Sequence, residues 1–157
     1  MKRGFLTIHS CPSALIRHVE WAIENTLGSV PFTQIRQISW RNQPLIAGTQ
    51  RTQIEWHANQ DKSAELATAL KSWHYLKFEI TCDKQIFRFT PELGLHRAEI
   101  DDLGNVLITE SQLKFAMSKT DDAMREHLDK ALGTEWEVEL EPLRGVDLQE
   151  FTHLHAI

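Results

Sequence analysis

Near neutral pH, imidazole, thiol and carboxylate groups are the side chains able to carry protons, attack an electrophile or hold a metal ion. The chain has eight histidines and two cysteines, Cys11 and Cys82. Neither Cys-x-x-Cys nor His-Glu-x-x-His occurs, so the spacing points to no metal site. His153 and His155 would share one side of an extended segment, but exposed histidines in an acidic tail are the simpler account. Cys11 stands at an expected helix start, where unpaired N–H groups favour thiolate and His9 or His18 could act as base. The plainer reading makes Cys11 a small buried filler, with Ser10 or Ser13 capping the helix and Pro12 in its first turn.

The remaining chemistry depends on strands. Phe5 to His9, Thr52 to His57 and Leu76 to Cys82 are β-rich runs. Leu6 and Ile8 claim the buried face of the first, which sends Phe5, Thr7 and His9 to the other face. The same alternation sends Gln53, Glu55 and His57, and Lys77, Glu79 and Thr81, to that open face. With the first and third strands as parallel neighbours, His9 and His57 converge, and Glu79 arrives from the antiparallel fourth strand. The ligand-binding set is therefore His9, Glu55, His57 and Glu79, suited to an anionic or metal-bearing ligand or to proton transfer. The plainer reading is ordinary sheet surface, or a hydrogen-bonded layer covered by the chain beyond residue 85.

Those strands need a scaffold, and the apolar periodicity supplies one. Leu15, Val19, Ala22, Ile23 and Leu27 recur at helical steps before Gly28, which predicts a helix over 12–27. Ile35 to Trp40 and Thr52 to His57 read as a hairpin around Pro44 and Gly48. Ala64, Leu66, Ala67, Leu70 and Trp73 form a second apolar helix face, and Leu76 to Cys82 alternates as a strand. The order strand, helix, strand, strand, helix, strand predicts an α+β fold with a ferredoxin-like βαββαβ sheet over 1–83 and both helices on one face. Residues 84–157 add short strands at Phe87–Phe89, Leu95–Ile100 and Val106–Ile108, helices over 110–118 and 121–132, and an acidic tail, all within one domain spanning 1–157. Thr134 to Leu143 fits either a strand, with Trp136, Val138 and Leu140 alternating with glutamates, or a short helix opened by a Thr134/Glu137 capping box, the preferred assignment. Trp40, Trp56 and Trp73 fall on core faces, whereas Trp21 lies off its stripe and marks a subunit contact.

Charge narrows the partners. Residues 1–133 hold 16 basic and 16 acidic side chains, so the net −5 lies in the last 24 residues, where six acids face Arg144 alone. A neutral body with an acidic tail excludes sequence-independent phosphate binding, and no nucleic-acid partner is expected. No apolar run approaches a membrane span, and the opening residues lack a signal peptide's pattern, so a cytoplasmic location is expected.

The segments Arg3-Gly4-Phe5-Leu6-Thr7-Ile8-His9-Ser10, His18-Val19-Glu20-Trp21 and Phe89-Thr90-Pro91-Glu92-Leu93-Gly94, with Leu132-Gly133, Trp136 and Glu139-Leu140-Glu141-Pro142, resemble a family of actinobacterial proteins, domain of unknown function 3145. The resemblance covers most of the chain and implies a small intracellular bacterial protein. It carries no activity, ligand or catalytic residue. The expected function is a noncatalytic cytoplasmic binding or regulatory module that self-associates as a homo-oligomer, taking an unidentified small ligand or protein partner and no cofactor. The alternative is a small enzyme using His9, His57, Glu79 or Cys11 on an unidentified substrate.

Overall fold

A computed structural model describes the backbone of residues 1–28 and 38–155 and the side chains of those residues up to Val146. Among the described residues, seven strands form one antiparallel sheet: β1 (Lys2–Pro12), β2 (Arg41–Asn42), β3 (Thr49–Ala58), β4 (Lys77–Cys82), β5 (Gln85–Thr90), β6 (Gly94–Ile100) and β7 (Val106–Leu107), in the order β2-β3-β1-β4-β5-β6-β7. The helices among the described residues are α1 (Ile16–Leu27), α2 (Ser63–Lys71), α3 (Glu110–Met117), α4 (Asp121–Leu132) and α5 (Thr134–His155). The fold is α+β.

The core lies between one sheet face and α1 with α2. Leu6, Ile8, Trp56, Phe78 and Ile80 project from the strands onto Val19, Ile23, Leu27, Leu66 and Leu70, so the alternation of the strands and the stripes of the helices meet as their spacing requires. Trp56 is fully buried there, Trp40 and Trp73 pack at its margin, and Trp21 remains 65% exposed. Of the expected second strand, residues 35–37 lie outside the described residues, and among the described ones strand pairing begins at Arg41, which faces Arg51.

Several expectations need correction. β1 and β3 are antiparallel, from Lys2 opposite Ala58 to Pro12 opposite Thr49. The physical reason is topological: a crossover through a helix makes β2 parallel to β1, and the β2–β3 hairpin then reverses the chain once more. Cys11 does not open a helix, because β1 runs through Pro12, a 3₁₀ turn takes Ser13–Leu15, and α1 starts at Ile16. A bulge after Ile8 shifts the register against both β3 and β4, which reverses the alternation and turns Cys11 into the helix-side core while His9 stays on the opposite face.

The segment after Gly133 is a helix of 22 residues rather than a short one, and it crosses the second sheet face. Its expected capping box is replaced by other bonds: the Thr134 hydroxyl bonds Asp129, and both Glu137 oxygens accept from arginines. The backbone is helical through His155, so His153 and His155 do not sit on an extended segment; their side chains lie outside the described residues.

Candidate functional site

The sheet face opposite α1 and α2 carries polar side chains on four adjacent strands: His9 on β1, Glu79 on β4, Arg88 on β5 and His96 on β6. Glu79 is directly opposite Arg88, and Arg88 opposite His96, so the last three share a face by register. All are withdrawn from water, His9 to 2% and Arg88 to 3% exposure. Such a row is stable only if its members satisfy one another or a covering element.

The first half of α5 is that cover. The residues Glu137, Glu141 and Arg144 stand at helical spacing on one side of it. Arg144 donates to both Glu79 oxygens, at 2.9 Å from Nε to Oε2 and more closely from its terminal nitrogen to Oε1, and also binds Glu137 and Glu141. His9 Nε2 lies 2.8 Å from Glu79 Oε2, and Arg88 donates to Glu137 at 2.8 Å. Lys77 approaches Glu139 at 3.8 Å. Apolar groups complete the seal: Trp136, Leu140 and Leu143 pack with Leu93 and Ile46, the Trp136 indole donates to the Gly94 carbonyl, and the His96 ring stacks on Trp136.

The electrostatics follow from this geometry. Burial by itself would raise the Glu79 carboxyl, but hydrogen bonds from His9 and Arg144 outweigh it and hold the group at about 2. The bond to Glu79 holds Arg144 far above the ordinary guanidinium value against burial, and Arg144 in turn holds Glu137 low. Burial lowers Arg88 despite Glu137 and Glu79 beside it. Burial also lowers His96, whose Nε2 donates to the Ala131 carbonyl, which leaves Nδ1 unprotonated. A carboxylate this acidic, with its oxygens already accepting three hydrogen bonds, is a weak proton acceptor and has no proton to give. The arrangement is suited to holding α5 on the sheet.

Of the four expected ligand residues, the structure joins His9 to Glu79 and separates both from the other two. His57 is opposite Arg3, six residues from His9 along β1, about 20 Å at strand spacing. It pairs with Glu55 at 3.1 Å, and Glu55 accepts from Arg3 at 2.5 Å, in a half-exposed group beside Phe5. The expected convergence of His9 and His57 is therefore overturned, because it required parallel strands. Cys11 is fully buried, and burial pushes its thiol up to about 12, which disfavours the thiolate. Asp61, Cys82 and Asp83 bring their ligand atoms within 4.8 Å of one another. Their chemistry is already assigned, since Asp61 accepts Ser63 N–H at the start of α2 and a bond from Gln85, Asp83 binds Lys2, and burial pushes the Cys82 thiol up to about 12.

Sequence reasoning missed Arg88, His96, Glu137 and Arg144. The helical spacing of Glu137, Glu141 and Arg144 was one available signal; Arg88 between Phe87 and Phe89 was another, marking a polar side chain turned away from an apolar face.

The chain belongs to the family described as Protein of unknown function (DUF3145), which matches residues 5–156. No curated protein and no solved structure matches it.

Proposed function

We propose that this is a noncatalytic cytoplasmic binding or regulatory module that self-associates. One observation carries the reading: Glu79 accepts from His9 and from Arg144, so the side chains best suited to acid–base work are spent on fastening α5 to the sheet. Two free, buried cysteines suit a reducing compartment, and no described helix is long and apolar enough to cross a membrane. The antiparallel order β2-β3-β1-β4, with α1 following β1 and α2 following β3, supports a ferredoxin-like unit over 1–83 within a single domain. An actinobacterial source belongs to the same proposal and rests on the resemblance of the segments quoted above. The test is sedimentation velocity of the full chain from nanomolar to high micromolar concentration. A concentration-dependent shift to a larger species is expected, and a strict monomer throughout overturns self-association.

A further inference from the structure

Resting on that self-association, we infer that α5 is an exchangeable arm and that its partner is a second copy of this chain, whose sheet face accepts α5 in place of its own. The hinge is a single residue. α4 ends at Leu132, α5 begins at Thr134, and Gly133 between them is left-handed at φ 73°, ψ 33°. Moving this one residue to right-handed helical angles joins α4 and α5 into a rod of about 50 Å, which carries α5 away from its own sheet.

Little packing between the two helices opposes that motion. No residue of α4 is buried. The cleft between α4 and α5 is open, with a volume of about 520 Å³, and its carboxylates, Asp122, Glu126 and Asp129 on α4, Glu135 on α5 and Glu92 on the β5–β6 turn, outnumber its cations, Arg125 and Lys130 on α4. The net negative charge of its walls favours opening.

What holds α5 is the sheet. Arg144 on Glu79, Glu137 on Arg88, the Trp136 indole on the Gly94 carbonyl, and Leu140 and Leu143 beside Leu93 all recur unchanged when α5 comes from a second copy. Two side-chain bonds belong to the bend, Thr134 to Asp129 and His96 to the Ala131 carbonyl, and only the carbonyl has a substitute. His96 Nε2 now donates to the Ala131 carbonyl, and in the continuous rod that carbonyl receives the Glu135 N–H instead. Exchange therefore conserves the α5–sheet contacts and leaves the hinge, the two bonds of the bend and the association entropy to decide the balance, which concentration shifts toward the dimer.

The experiment compares the wild-type chain, Gly133→Ala, and an equimolar mixture of Glu79→Arg with Arg144→Glu. Alanine is disfavoured in the bent form twice over, by the left-handed angles and by a Cβ that would sit 2.7 Å from His96 Cε1. The rod imposes neither, so Gly133→Ala should dimerise more tightly, by roughly tenfold for each hinge. In the mixture each variant alone brings like charges together between sheet and α5. Exchange instead yields one native and one reversed pair, so sedimentation should show a heterodimer absent from either variant alone. Dimers of wild type or Gly133→Ala without this preference would overturn the exchange and leave self-association standing. A strictly monomeric wild type and Gly133→Ala would overturn both. Should a charge variant fail to fold, the Gly133→Ala comparison still decides, since no tightening there rejects Gly133 as hinge.

Discussion

His9 and His57 carry the same ring on neighbouring strands, and their surroundings give them different weight. His9 is buried against Glu79, itself tied to Arg144, so removing the imidazole strips a partner from a desolvated carboxylate. His9→Ala should lower unfolding stability by about 2 kcal/mol. His57 is a third exposed and pairs with a carboxylate that Arg3 also holds, so His57→Ala should stay within about 0.5 kcal/mol of wild type. Urea midpoints of the two variants check this, and equal losses would contradict it. Glu79 also sets a pH dependence. Its carboxyl is held at about 2 against an ordinary 4.5, so its contribution is complete above pH 4.5 and is lost as pH falls from there toward 2. The loss is on the order of 3 kcal/mol. Stability measured between pH 7 and 2 should fall more steeply in wild type than in Glu79→Gln, whose side chain cannot titrate. Parallel curves would show that Glu79 does not carry the acid limb.

At the scale of elements, β1 is the organiser, pairing with both β3 and β4 and bending at the bulge after Ile8. Near its start Gly4 lies opposite Trp56, and a Cβ there would enter the indole ring. The glycine is needed for close approach rather than for unusual backbone angles. Gly4→Ala should overpack this contact and cost about 1–3 kcal/mol, with a change in near-ultraviolet circular dichroism as the Trp56 ring shifts. A variant of wild-type stability and spectrum would show that the strands separate freely at that point. The helices differ in how they are held. α1 and α2 bury apolar stripes, whereas the first half of α5 joins an apolar patch to a row of ion pairs.

Across the whole molecule, burial is unevenly distributed. The β3-β1-β4-β5 centre, with α1 and α2, contains the large apolar cluster, while α3 buries only Ala116 and α4 nothing. Regions with few buried contacts open at low free energy. Native-state hydrogen exchange should therefore find α3 and α4 amides exchanging far faster than those of β1 and β4. Uniform protection would mean that α3 and α4 unfold only with the sheet.

Local periodicity determined much of this protein. The stripe from Val19 to Leu27, the alternation of Phe78, Ile80 and Cys82, and the left-handed stop at Gly133 each depend on neighbours a few residues away, so α1, β4 and the end of α4 were legible in the sequence. The polar parity of His9 and Glu79 was legible for the same reason, and their pairing follows from β1 lying beside β4. What joined Glu79 to Arg144, 65 residues away, and parted His9 from His57 was strand direction and the path of α5. Neither leaves a local signature, because a residue's face depends on its own alternation while its neighbours depend on how distant segments fold back. The bulge after Ile8 marks the boundary between the two: one extra residue in β1 is invisible to periodicity, yet it decides that Cys11 is core.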